Sequence, residues 1–480
     1  MPTPRDMSAA EFREHGHAVI DWIAAYLDDP EKWPVLPDTK PGNLRRALPA
    51  SPPDRAEPMD RILQDFQKLV VPSTTHWNHP DFMAYFANSS TGAGVLGETL
   101  TAALNVNGML WRTGPAATEL EQLTLDWLRQ MLGLPESFSG TINDTASSST
   151  LYALAAAREL HPGLRLREDG MSGRADLPRI AIYCSEEAHS SVDKAVMTLG
   201  FGLSALRKIP TDDALRMNAR ALAAAVETDR RAGVFPLAVV ATVGTTSTTA
   251  VDPVPAIADI CEREKLWLHV DASYAGTAGI LPEMRHILAG CERAHSFVVN
   301  PHKWLFTPMD CSALYTSRPD LLRRAFQHVA DYLVVPESES AINLMDYGVS
   351  LGRRFRALKL WFVIRSFGVE GLQSAVREHI RLARELSSWI DADPELERLA
   401  EAQFSTVVFR HHPPGMTGEA LDDHNARVLE RVNASREVYL SHTRVRGSYA
   451  LRIAIGNIHT AEVHVRRALE VVKQAARSGP

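Results

Sequence analysis

Ser296-Phe297-Val298-Val299-Asn300-Pro301-His302-Lys303-Trp304-Leu305-Phe306 sets a single lysine between two apolar runs. The first run reads as a buried strand and the second returns the chain to the interior, so the ammonium is expected where water is scarce. Desolvation disfavours a charged amine and lowers its pKa, which leaves the neutral form free to condense with an aldehyde as a Schiff base. The competing reading of any lone lysine is a surface residue whose stem lies along apolar neighbours.

Upstream stands Leu266-Trp267-Leu268-His269-Val270-Asp271-Ala272-Ser273-Tyr274-Ala275-Gly276. An apolar strand ending in a carboxylate and followed by small residues puts Asp271 at a carboxyl end of a strand, where open α/β sheets bind ligands. Such aspartates also cap helices or hold metals. An aspartate is equally the group that keeps a pyridine nitrogen protonated, so that the ring acts as an electron sink. A strand-end aspartate with a lysine just past the next strand is the spacing expected of pyridoxal-phosphate (PLP) enzymes of the aspartate-aminotransferase fold type.

The chain resembles the aromatic-L-amino-acid decarboxylases of the group II PLP-dependent decarboxylases nearly end to end. The resemblance is carried by Glu11-Phe12-Arg13, Pro41-Gly42, Thr75-His76-Trp77, Ala84-Tyr85-Phe86, Pro115 to Glu121 and Ala188-His189-Ser190-Ser191-Val192. It continues through Ala241-Thr242-Val243-Gly244-Thr245-Thr246, the two stretches above, and Leu351-Gly352-Arg353-Arg354-Phe355-Arg356. It implies an α/β fold of PLP fold type I: a helical arm over residues 1–88 that wraps a partner subunit, a large PLP-binding domain with a mostly parallel sheet over 89–367, and a small α+β domain over 368–480. An obligate homodimer with its active site at the subunit interface follows from the same resemblance.

The pattern of the chain agrees. Amphipathic helical periods run from Ala10 to Leu27 and from Met59 to Leu69. Short strands at Ile180 to Cys184, Leu237 to Thr242, Leu266 to Val270 and Phe297 to Val299 alternate with helices, as a parallel sheet requires. Leu451 to Ile455 reads as a strand of the last part. With 480 residues, more than one core is expected. A net charge of −7 with both signs interspersed gives no sign of nucleic-acid or membrane binding. Cys184, Cys261, Cys291 and Cys311 lack paired spacing, which argues for reduced thiols without disulfide or metal. With no signal-like apolar start, the expected location is cytoplasmic.

The phosphate is expected near a helix start, where unpaired N–H groups and the helix dipole favour an anion. Gly140 to Thr150, whose Thr145 to Ser149 precede the helical Leu151 to Leu160, is the candidate, and a serine-rich N-cap is the plainer reading of it. By resemblance Ala146 and Ser147 hold the phosphate, Ser296 and Asn300 assist, and Thr246 contacts the ring or its substituents. Asp144 departs from the family, which usually has glycine there; a carboxylate repels phosphate, so Asp144 is expected to point away. His189 is expected to stack on the pyridine ring, and His302 to be a second active-site imidazole. Tyr332, in the polar stretch between Phe326 and Leu344, matches the family's loop tyrosine that protonates the substrate carbon; the catalytic set is then Lys303, Asp271, His189 and Tyr332.

Trp77, Tyr85, Phe86, Met109, Met309 and Leu351 match the family's side-chain pocket, and ordinary core is their plainer reading. Asn88, where threonine is usual, and Gly352 join them on the substrate side. The two methionines leave room for a larger ring, and in the resembled family a glycine at the place of Gly352 goes with indoles, so tryptophan leads, with tyrosine, dihydroxyphenylalanine and phenylalanine as alternatives. Aromatic acetaldehyde synthases share every feature except the loop tyrosine. A glutamate or cysteine-sulfinate decarboxylase needs a cationic side-chain pocket that these residues do not supply. A non-catalytic relative of the fold is the third alternative, prompted by Asp144 and Asn88.

Overall fold

The computed structural model describes residues 6–328 and 341–477. Seven strands form the larger sheet: β1 Ser139–Asn143, β2 Ile180–Ser185, β3 Leu206–Ile209, β4 Phe235–Thr242, β5 Trp267–Asp271, β6 Ser296–Val299 and β7 Ser312–Thr316. Their order is β1-β7-β6-β5-β4-β2-β3, and every neighbouring pair from β6 to β3 is parallel, while β7 runs antiparallel to both β6 and β1. β2, β5 and β6 are buried along their whole length, which explains continuous apolar runs in place of alternation. Parallel neighbours need crossovers, and the helices between these strands supply them.

The smaller sheet is antiparallel, in the order β10-β11-β9-β8, with β8 Leu396–Arg398, β9 Thr406–His411, β10 Ser441–Val445 and β11 Ser448–Ala454. An upstream stretch clips onto it: Met83 N–H donates to the Tyr439 carbonyl at 3.0 Å, and Ala454 N–H to the Met83 carbonyl at 2.9 Å. Residues that follow Met83 are thereby held between the two sheets.

Two boundaries differ from the sequence reading. The serine-rich stretch is not ahead of a helix but forms its first turn, the helix running Ala146–Glu159 behind the N-cap Thr145. The long helix Ala357–Asp391 begins before Gly368 and passes through it with a kink, where Gly368 takes φ 63°. A glycine permits that break, whereas a side chain there would be strained.

Gly244 makes the turn that leaves β4. It has φ +89°, and a Cβ at this position would collide with the Cβ of Ala275. Gly244→Ala is expected to cost about 2–4 kcal/mol from combined overpacking and left-handed strain, read as a lower denaturation midpoint. Unchanged stability would show that the loop repacks freely.

Candidate active site

The carboxyl ends of the parallel strands open onto one cavity of about 360 Å³. Register explains the convergence: Thr242, Asp271 and Val298 stand side by side on β4, β5 and β6, so the residues just beyond them share one rim. β4 continues into Gly244 and Thr246, β5 ends on Asp271, and β6 leads through Asn300 to Lys303. Thr145, Ala146 and Ser147 enter from the end of β1, and His189 from the turn after β2. Tyr85, Phe86 and Asn88 come from the stretch held between the sheets, Met309 from beyond Lys303, and Ser441, His442, Thr443 and Arg452 from the smaller sheet.

Lys303 is partly accessible through the cavity, and its amine is pushed below the usual lysine range by burial, with Arg452 pushing the same way and Asp271 opposing. The Asp271 carboxylate is buried and accepts the backbone N–H of Ser273 at 3.1 Å as well as its hydroxyl. These bonds fix the carboxylate at the strand end.

Both histidines are set as neutral donors. His302 Nδ1 accepts the Cys311 N–H at 2.9 Å, so the ring proton sits on Nε2, and burial followed by Lys303 lowers its pKa to about 3. His189 Nδ1 accepts the Ser191 N–H at 3.1 Å, and burial lowers this imidazole too. A nitrogen that accepts a backbone N–H cannot also carry a proton, so each ring offers one N–H from its far side.

The cavity suits PLP on its own geometry. Thr145 makes no side-chain capping bond, so the first N–H groups of the helix Ala146–Glu159 have no partner within it. The Ser147 hydroxyl adds a donor, and the buried Asn300 Oδ1 has no partner in the protein. An anion-accepting helix end, an amine freed of its proton and a carboxylate at the neighbouring strand end are the three groups that a phosphorylated pyridine aldehyde requires. Asp144 does not line the cavity; its charge acts on His302 and Arg356 behind the wall.

Several expected residues are elsewhere. Ser296 lies at the start of β6, the end away from the cavity, where its hydroxyl bonds Trp267 Nε1 at 2.9 Å and His269 Nδ1 at 2.8 Å. It is a structural tie and not a phosphate contact. Trp77 does not line the cavity but stacks on Phe82 at 4.2 Å. Met109, Leu351 and Gly352 form a separate surface patch, because Gly108 N–H bonds the Arg353 carbonyl at 2.9 Å and Arg353 N–H bonds Asn107 at 2.9 Å. Leu351 is exposed there. Tyr332 lies outside the described residues.

Arg452 was not anticipated. It is buried on β11, donates Nε to the Ser247 carbonyl at 3.3 Å and Nη1 to the Tyr85 carbonyl, and leaves Nη2 without a partner. Burial lowers its pKa to about 10. The signal was present in Tyr449-Ala450-Leu451-Arg452-Ile453-Ala454: an arginine inside an apolar strand is rarely buried without a task.

A desolvated lysine, a strand-end aspartate and an anion cradle at one sheet edge define a PLP-dependent enzyme. Residues 41–412 match the pyridoxal-dependent decarboxylase conserved domain, and the chain belongs to that family of carboxy-lyases. It is 41% identical to an aromatic-L-amino-acid decarboxylase of Sus scrofa over 98% of this chain and 97% of that one. It is 39% identical to a phenylacetaldehyde synthase of a Rosa hybrid cultivar, covering 98% and 94%. The crystal structure of Oryza sativa TDC with PLP and tryptamine superposes with a TM-score of 0.94 at 39% identity, covering 99% of both chains.

Proposed function

We propose that this decarboxylase converts an aromatic L-amino acid, tryptophan foremost, to its arylalkylamine and CO2, working as a cytoplasmic homodimer. The observation that carries the substrate class is the cavity lining: Tyr85, Phe86 and Met309 form an apolar wall beside one guanidinium, Arg452. An aromatic amino acid brings one carboxylate, and Arg452 is the cation that steers it. A dicarboxylic substrate would require a second free cation; among the described lining residues the other full cation is Lys303, which the cofactor occupies. Arg452 thus corrects the view that the pocket has no cation, while still favouring a single carboxylate. The relative solved with tryptamine supports an indole.

When bound, PLP supplies an aldehyde for the substrate amine and a protonated ring that draws the electron pair left by departing CO2. The helix start at Ala146 and Ser147, with Asn300 and His302 N–H, would hold its phosphate, Thr246 would contact the ring, and Asp271 would keep the ring nitrogen protonated. Lys303, whose amine burial pushes toward the neutral form, would be the residue that holds the cofactor through its aldehyde. His189 presents a neutral N–H over the cavity and orients the substrate, while Asn88 faces it from the other side.

The dimer reading rests on surface left uncovered in one chain. Leu96, Leu100 and Leu104 form an exposed stripe at helical spacing on the helix Gly92–Leu104. The helix Ala9–Asp28 buries none of its residues. A second copy covering these faces would also bring the Met109, Leu351 and Gly352 patch to a neighbouring cavity. The division at 88 and 367 belongs to this proposal. Among the described residues no helix is long and apolar enough to cross a membrane, and the four cysteines are buried and unpaired.

Tyr332 is proposed to deliver the proton to the former α-carbon. Tyr332→Phe is then expected to shift the product from amine toward aldehyde, with ammonia and peroxide formed from oxygen, as read by mass spectrometry and peroxide assay. Unchanged amine formation removes Tyr332 from the mechanism.

A further inference from the structure

Phe86 stands where three parts of the chain meet. Its ring stacks on Tyr274, just past β5, with centroids 3.8 Å apart and planes 19° from parallel. Tyr274 stacks in turn on Trp304, the neighbour of Lys303, at 4.8 Å, and Trp304 Nε1 is anchored by His379 at 2.9 Å. Over the same Phe86 ring lie two cations, Lys303 Nζ at 5.1 Å from the centroid and the Arg452 guanidinium carbon at 4.5 Å. One comes from the short helix Pro301–Trp304 that follows β6 and one from the smaller sheet.

Two like charges converging on one buried site repel each other, and the negative face of an aromatic ring offsets that repulsion most where water is excluded. The charged or titratable groups facing Lys303 are Asp271 from β5, Arg452 from β11, His189 from the turn after β2 and His302 from its own helix. Both imidazoles are neutral, so Asp271 and the Phe86 ring are what favour the ammonium form, against Arg452 and burial.

We propose that Phe86 is a positioning residue, whose ring holds the Lys303 amine and the Arg452 guanidinium at one surface and sets how readily the lysine releases its proton. This goes beyond its place in an aromatic substrate wall, and it rests on Lys303 being the amine that binds PLP. Replacing the ring by an aliphatic chain of similar bulk removes the attraction and keeps the packing, so the lysine turns neutral at lower pH. Removing the Arg452 charge acts in the opposite direction.

The test uses the full-length chain freed of PLP by treatment with phenylhydrazine and then dialysis, and follows the rate at which added PLP is captured, by visible absorbance, across pH. Phe86→Leu is expected to move the midpoint of the rate profile down, giving about tenfold faster capture at a pH below the parent midpoint. Phe86→Tyr, which keeps the ring, is expected to retain the parent midpoint, and Arg452→Gln to move it up. A leucine profile that coincides with the parent, or a tyrosine profile that moves with leucine, overturns the proposal. If the leucine variant fails to fold, Phe86→Met carries the same prediction and the same refutation. Absence of capture by the parent chain would overturn the assignment of Lys303 itself, and this proposal with it.

Discussion

Lys303→Ala is expected to abolish turnover, by at least about 10⁴-fold, and to remove the visible absorbance that the parent gains with PLP. The lysine amine is the group that bonds the aldehyde, and no other lysine lines the cavity among the described residues. The loss should not come from unfolding. Burial disfavours the charge of this amine, so its removal relieves a desolvation cost while sacrificing a stem's packing. The stability of the variant is therefore expected to stay near that of the parent, measured by denaturant titration alongside activity. Near-normal turnover in a folded Lys303→Ala protein would refute the assignment.

Asp271→Asn is the second large effect. The substitution keeps the shape and the bonds from Ser273 but removes the negative charge that would hold a pyridine proton. Turnover is expected to fall by about 10²–10⁴-fold while PLP remains bound, because the phosphate cradle lies on other elements. The same charge raises the pKa values of Lys303 and His189, so both move further down in the variant and are neutral over a wider pH range. Improved neutrality of the lysine with collapsed turnover would separate the aspartate's work on the ring from its effect on the amine. A decrease smaller than tenfold would show that Asp271 does not govern the electron sink.

Lys303, Asp271 and His189 were legible because each ends or follows a buried strand, and a run of apolar residues broken by one polar group is a strong local signal. The parallel sheet was legible for the same reason, its strands being apolar throughout. Ser296 was misjudged because nearness to Lys303 in sequence hides the length of a strand: residue 296 begins β6 and the site lies past its end. Arg452 was missed because it reaches the cavity from a different sheet, and only the fold brings β11 to the cavity at the ends of the larger sheet's strands. Met109, Leu351 and Gly352 were expected in one pocket with Tyr85, Phe86 and Met309, yet they lie off the cavity of their own chain. The left-handed backbone at Tyr85, φ 53°, was likewise unreadable, since it follows from the clip of Met83 onto the smaller sheet.

The most direct measurement is product analysis of the purified PLP-loaded protein given an equimolar mixture of tryptophan, tyrosine, phenylalanine, dihydroxyphenylalanine and glutamate, read by mass spectrometry. Arylalkylamines, tryptamine foremost, with no product from glutamate, are the predicted result. Aldehydes as the sole products, an amine from glutamate alone, or no product from a protein that has visibly taken up PLP would contradict aromatic amino acid decarboxylation as its function.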